Sequence, residues 1–260
     1  MKLYAYGDSW TEGQGCRIDD ESKLKDRMIL RDFRNKYSWP IKLANKLGCD
    51  HENNGWSGRA NNLIFNDVIS DLRNGKIHEG DLVVIMWSSS LRDYVHFLPK
   101  GEWISWSIKE LTLLPHKFFE SYKYGDDKYN GFLEQYKKFF LENMFNQNYY
   151  NIINQNYIVF LQKMLEDYDI NYLMCDAFDL MVQQLNSKDD VTKIINKKRY
   201  WGFGEQSLES WMMKYYKSEP VWEVKKPNPM KVAQHPNDAG YKLITEELYN
   251  YIVKNKLYEC

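Results

Sequence analysis

The chain has 260 residues, with 35 basic against 36 acidic side chains and a formal net charge of −1. That balance leaves no global field to draw it to nucleic acid or to an anionic membrane. The length suffices for one full hydrophobic core, so a single domain spanning 1–260 is expected.

Lys2-Leu3-Tyr4-Ala5-Tyr6 has the apolar, aromatic character of a buried strand and runs straight into Gly7-Asp8-Ser9. Small residues at that point can hold a hydroxyl exposed at a strand's carboxyl end, where open α/β sheets keep their chemistry. The charged stretch 17–36 is too polar for core and reads as a surface segment near that face. Ser38 then starts a helix to about Leu47, with Trp39, Leu43 and Leu47 on one face and Gly48 ending it. A short strand follows at about 50–54. The next helix carries Ile64, Val68 and Leu72 as its buried stripe, and a strand spans 81–87. A helix over about 151–168 presents Ile153, Tyr157, Phe160, Leu161, Met164 and Tyr168 on one side; a strand at 171–176 and a last helix at 239–254, burying Ile244, Leu248 and Ile252, complete the plan. Strands alternating with amphipathic helices predict a parallel sheet with right-handed crossovers.

Gly7-Asp8-Ser9, then Asn53-Asn54-Gly55-Trp56-Ser57-Gly58-Arg59, then His235-Pro236-Asn237 near the end, resemble in order and spacing the SGNH (GDSL) hydrolase family, over residues 3 to about 252. The resemblance implies a three-layer α/β/α sandwich with a central parallel, flavodoxin-like sheet. It also implies Ser9 as nucleophile and His235 as its base, with an oxyanion hole built from the backbone N–H groups of Ser9 and Gly58 and a third side-chain donor. A base removes the hydroxyl proton and preorganised donors stabilise the charge on the carbonyl oxygen.

The chain departs from that pattern at two places. The family's third-block asparagine aligns with Ser89, in Trp87-Ser88-Ser89-Ser90, and losing one oxyanion donor costs about 3–4 kcal/mol in other hydrolases. Either Ser89 or Ser88 substitutes, or the chemistry is slower. The family's aspartate, three residues before the histidine, is replaced by Val232, and residues 225–234 contain no carboxylate. The histidine then works in a Ser–His dyad, or a carboxylate arrives from elsewhere. Asp176, ending its strand, is the best candidate and Asp238 a weaker one.

Two stretches, about 91–150 and 178–230, interrupt the plan and leave from carboxyl ends of strands, so they are expected to cap the site. They hold surplus aromatics, Trp103, Trp106, Phe118, Phe119, Tyr122 and Tyr124 in the first, Trp201, Phe203, Trp211, Tyr215, Tyr216 and Trp222 in the second. Most of these rings are expected to pack the insertions' own cores. Trp10 and Trp56, beside the first two motifs, are the aromatics placed to touch substrate. Arg59 and Arg92 directly follow the motifs and either bind a substrate anion or pair with a structural acid. His51, His78, His96 and His116 lack nearby ligand-type residues and read as ordinary, and the basic run 193–199 reads as a solvated helix face. Gly13-x-Gly15 lacks the Lys-Ser/Thr of a phosphate loop. Cys16, Cys49, Cys175 and Cys260 show no Cys-x-x-Cys spacing, so no metal, cofactor or disulfide framework is indicated. No apolar run nears the roughly 18 residues of a membrane span. No signal peptide precedes the first strand, which places the chain in the cytoplasm or releases it without a signal, as from a phage particle. The expected activity is hydrolysis of a small acyl ester through an acyl-enzyme, with carbohydrate O-acetyl groups as the substrate class. The alternatives are a binding or virion-structural module on the same fold, and acyl transfer to an acceptor other than water.

Overall fold

The computed structural model describes residues 1–90, 92–97, 102–107, 138–139, 142–144, 146–178, 190–213 and 235–258. In chain order the strands are β1 (Lys2–Tyr6), β2 (Asp50–Asn53), β3 (Leu82–Trp87), β4 (Arg92–Phe97), β5 (Glu102–Ser107), β6 (Asn171–Asp176) and β7 (Tyr200–Trp201). The helices are α1 (Ser9–Glu12), α2 (Ile18–Glu21), α3 (Arg27–Asn35), α4 (Trp39–Leu47), α5 (Asn61–Arg73), α6 (Gln147–Asp167), α7 (Asp190–Lys193), α8 (Leu208–Met213) and α9 (Asp238–Asn255).

β2-β1-β3-β6-β7 form one parallel sheet, and β4 and β5 pair as an antiparallel hairpin apart from it. Successive residues of each central strand serve opposite faces, as the pleat requires. Leu3, Ala5, Leu82, Val84, Met86, Leu173 and Cys175 join α4, α8 and α9 in one core layer. Tyr4, Tyr6, Val83, Ile85, Trp87, Tyr172 and Met174 join α5 and α6 in the other. A sheet covered on both faces needs near-continuous apolar strands, and β3 is buried along its whole length. The result is a three-layer α/β/α sandwich. The chain leaves β1 for one side of the sheet and returns to β3 on the other, so the strand order reverses between these two strands. A crevice outside the strands' carboxyl ends opens at such a reversal.

The structure departs from the sequence reading at several elements. β7 lies inside the stretch 178–230 read as an insertion; at two residues it is too short to show any periodicity, yet it extends the sheet and Trp201 is buried in the core. The charged segment 17–36 forms α2 and α3, and α3 has no buried residue, which agrees with its surface placement. On α6 the buried stripe is Asn154, Ile158, Leu161 and Leu165, whereas Phe160 and Tyr168 are exposed. A reading weighted to aromatic rings missed a stripe that includes a polar residue. Ser38 stands at the N-cap of α4, but its hydroxyl donates back to the Asn35 carbonyl rather than capping the helix. The residues 193–199 include the end of α7 and a 3-10 turn (Lys197–Arg199) leading into β7. The aromatics at 118–124, Tyr215, Tyr216, Trp222, His116 and Val232 lie outside the described residues. Among the described residues no helix is long and apolar enough to cross a membrane, and no group of three metal-ligating side chains occurs.

Candidate active site

The site starts from the break after β1. A side chain at Gly7 would collide with the Thr11 hydroxyl and the Met86 carbonyl, so the chain passes β3 there only as glycine. Asp8, fully buried, is the N-cap of α1: Oδ1 accepts the Trp10 N–H at 3.0 Å. Its other oxygen, Oδ2, accepts the Ser88 hydroxyl at 2.7 Å and the Arg92 guanidinium at 2.9 Å. One carboxylate thus bolts the carboxyl ends of β1 and β3 together across the reversal of strand order. Ser9 follows on the first turn of α1, 6 % exposed, and its Oγ lies 3.0 Å from His235 Nε2. That is the contact direct proton transfer requires.

The imidazole is carried into place by the start of α9. Asn237 caps this helix, its Oδ1 accepting the Gly240 N–H at 3.0 Å. Asp238 in the first turn pairs with Lys42 of α4 at 3.1 Å and with Lys242 one turn on at 2.8 Å. Partial burial works to raise the Asp238 pKa, but the hydrogen bonds from Lys242 and Lys42 outweigh it and hold the carboxyl below its ordinary value. The Tyr241 hydroxyl, on the same helix, donates to the Gln14 carbonyl at 2.8 Å. The helix that follows His235 and the loop that follows Ser9 are therefore joined directly.

A third segment packs against these two. The Trp56 N–H donates to the Gly7 carbonyl at 3.1 Å, and the Ser57 N–H donates to the Glu12 carboxylate. Gly55 permits this approach, because a Cβ there would strike the α1 backbone at Thr11 and Glu12. Gly58 follows with φ of +85°, in the left-handed region that suits glycine. Behind the loop, Arg34 pairs with Glu12 at 2.9 Å and Glu21 at 3.0 Å and also donates to Ser57 Oγ at 3.2 Å. Burial opposes the Arg34 charge, but the two carboxylates prevail and its pKa is raised. Glu12, Glu21 and Arg34 are nearly buried, and sequence reasoning missed all three. The signal was present only as charge in a stretch that reads as solvated, since the partners are identified by the fold.

The other predicted residues divide. Ser88 does not supply a spare donor, because its hydroxyl goes to Asp8; Ser89 is half-buried in the same loop. Asp176 is buried at the carboxyl end of β6 and accepts the Tyr200 hydroxyl at 2.5 Å. Trp10, expected to touch substrate, is fully buried and packs edge-on against Phe178 at 5.3 Å, because the second residue of α1 points under the sheet. Trp56 is half-buried, with the guanidinium groups of Arg27 and Arg31 at 4.5 and 4.7 Å from its ring centre. Arg59 and Arg92, read as binding either a substrate anion or a structural acid, both meet a structural acid: Arg59 grips Asp67 with two hydrogen bonds of 2.9 Å, and Arg92 holds Asp8.

No protein-family model and no curated protein sequence matches the chain. Solved structures do align with it along nearly its whole length. A lipolytic protein of the G-D-S-L family from Desulfitobacterium hafniense DCB-2 is 14 % identical, with 96 % of this chain and 98 % of that one covered and a TM-score of 0.40. An acetyl xylan esterase is 10 % identical, covering 97 % and 100 %, at 0.44. A variant of an acetyl-xylooligosaccharide esterase from Geobacillus Stearmophilus is 13 % identical, covering 96 % and 93 %, at 0.47. By its own atoms this chain is an α/β sandwich whose parallel sheet ends in a serine hydroxyl joined to an imidazole.

Proposed function

We propose that the protein is a serine ester hydrolase of the SGNH type, acting through an acyl-enzyme on small acyl esters, with O-acetyl groups of carbohydrates as the substrate class. The observation that carries the reading is the 3.0 Å contact between Ser9 Oγ and His235 Nε2, made at the crevice of the sheet. His235 Nε2 takes the hydroxyl proton as Oγ attacks the ester carbonyl, and the tetrahedral oxyanion draws on the N–H groups of Ser9 and Gly58 and on the Ser89 hydroxyl. The proton then passes to the leaving alkoxide, which departs as an alcohol. Water, deprotonated by the same imidazole, attacks the acyl-enzyme, and the carboxylic acid and free serine return. Asp176, on the same carboxyl edge of the sheet, is the carboxylate proposed to support the histidine.

Labelling with a fluorophosphonate probe tests the assignment. Wild type is expected to label covalently, Ser9→Ala not at all, and His235→Ala at least a hundredfold more slowly. Asp176→Asn is expected to label at least tenfold more slowly; an unchanged rate removes Asp176 from the assignment and leaves a dyad. A folded wild type that does not label sinks the hydrolase reading in favour of a binding module.

A further inference from the structure

Six arginines stand on or beside the three segments that build the site, and they fall into two groups. Arg17, Arg34, Arg59 and Arg92 each meet a carboxylate, at Asp20, Glu12 and Glu21, Asp67 and Asp8 respectively. Arg27 and Arg31 meet none among the described residues. Arg27 is exposed and its one described contact is the Trp56 ring. Arg31 gives one hydrogen bond, from Nη2 to the Asn53 carbonyl at 3.2 Å, and its buried Nε has no hydrogen-bond partner.

We propose that Arg27 and Arg31, fixed on the Trp56 ring, form an anion subsite that receives the carboxylate of an acidic sugar in the substrate. The proposal rests on the esterase reading and gives it a substrate class, O-acylated acidic glycans. Two like charges four residues apart on α3 disfavour the helix, and neither is offset by an ion pair among the described residues. The electron-rich indole attracts each guanidinium, and a guanidinium so placed keeps a fork of N–H donors that suits a carboxylate. Asp26, just before the helix, is engaged in capping it through the N–H groups of Met28 and Ile29, and Asp32, on the helix itself, pairs with neither arginine among the described residues. The ring is tied to the reacting centre by its own backbone, since the Trp56 N–H is bonded to Gly7, two residues before the nucleophile, and Ser57 to the helix that carries it. Both guanidinium groups stand beside the same ring, at 4.5 and 4.7 Å from its centre, and together they concentrate positive charge for one anionic group. A spread of lysines would instead suit a charged surface.

The test is calorimetric titration of the Ser9→Ala protein, which binds without turnover, against a galacturonic acid trimer and a neutral galactose trimer at low salt. The acidic trimer is expected to bind at least tenfold more tightly. That preference is expected to fall at least fivefold in the additional variant Arg27→Gln and in Arg31→Lys, which keeps the charge and loses the fork. Arg27 is exposed, so its variant is expected to keep the parent's melting temperature. Equal affinity for the two trimers, or an unaltered preference in Arg27→Gln, overturns the proposal. Arginine-dependent binding to anionic phospholipid vesicles without discrimination between trimers overturns it too, and assigns the patch to a lipid surface. Because the titration reads binding alone, its failure leaves the labelling of Ser9 untouched, and failure of the labelling leaves the titration interpretable.

Discussion

Asp8 and Ser9 are neighbours with opposite roles. Asp8 gives both oxygens to structure, and Ser9 is left to face the histidine because its neighbour anchors the turn. Removing the guanidinium that faces Asp8, in Arg92→Met, leaves a buried carboxylate short of its cation and is expected to lower unfolding free energy by about 3–5 kcal/mol. Ser88→Ala, which removes one neutral donor, is expected to cost about 1–3 kcal/mol. Urea unfolding of the two variants checks the order, and equal small losses would mean that the pair contributes little. Glu12→Gln keeps the side chain's shape and weakens its hold on Arg34 and Ser57. Because the Ser57–Gly58 loop is set by that carboxylate, labelling of Ser9 is expected to slow about ten- to hundredfold while the fold persists. The pairing of Ser9 with His235 was legible because each sits in a short motif with its own local chemistry. The Glu12–Arg34–Glu21 cluster was not, since a charge in sequence says nothing about which charge it will meet. The same ambiguity explains Arg59 and Arg92, for which a structural acid and a substrate anion are equivalent until the fold supplies Asp67 and Asp8.

At the scale of elements, α9 positions His235 and is itself held by ion pairs. Asp238 has a folded-state pKa below its ordinary value, so the stability it lends is fully present above the unfolded value of about 3.9 and is lost as pH falls through the folded one. Melting temperatures measured from pH 7 down to 3 are expected to fall less steeply for Asp238→Asn than for wild type below pH 4. Parallel curves would show that α9 docks without this pair. The sequence marked this helix well, because Ile244, Leu248 and Ile252 repeat at helical spacing and all three are buried. It marked α6 less well, since Asn154 and Gln155 occupy buried positions that a hydrophobic stripe does not announce. Asn154 is bonded to Asn61, whose own side chain holds the backbone of Ser88 at both its N–H and its carbonyl. Polar residues on that face serve the turn after β3. The two residues of β7 escaped notice because pairing with β6 defines them, and no pattern of their own does.

For the whole molecule, alternation of strands and helices was enough to give a parallel sheet in three layers, while the crevice between β1 and β3 followed only from the order in which the strands lie. The burial pattern also ranks the thiols. Burial, with Glu21 beside it, pushes Cys16 up to about 12, and burial pushes Cys175 well above its ordinary value, whereas Cys49 is half-buried. Alkylation of the native protein at pH 8, read by peptide mass, is expected to reach Cys49 before Cys16 or Cys175; early modification of Cys16 would mean that the α1–α2 region opens readily. The hydrogen bond between Ser9 and His235 joins positions 226 residues apart. The hydroxyl is synthesised long before the imidazole, so the pair exists only once α9 has docked. A chain cut before α9 therefore lacks the contact on which the proposed chemistry depends.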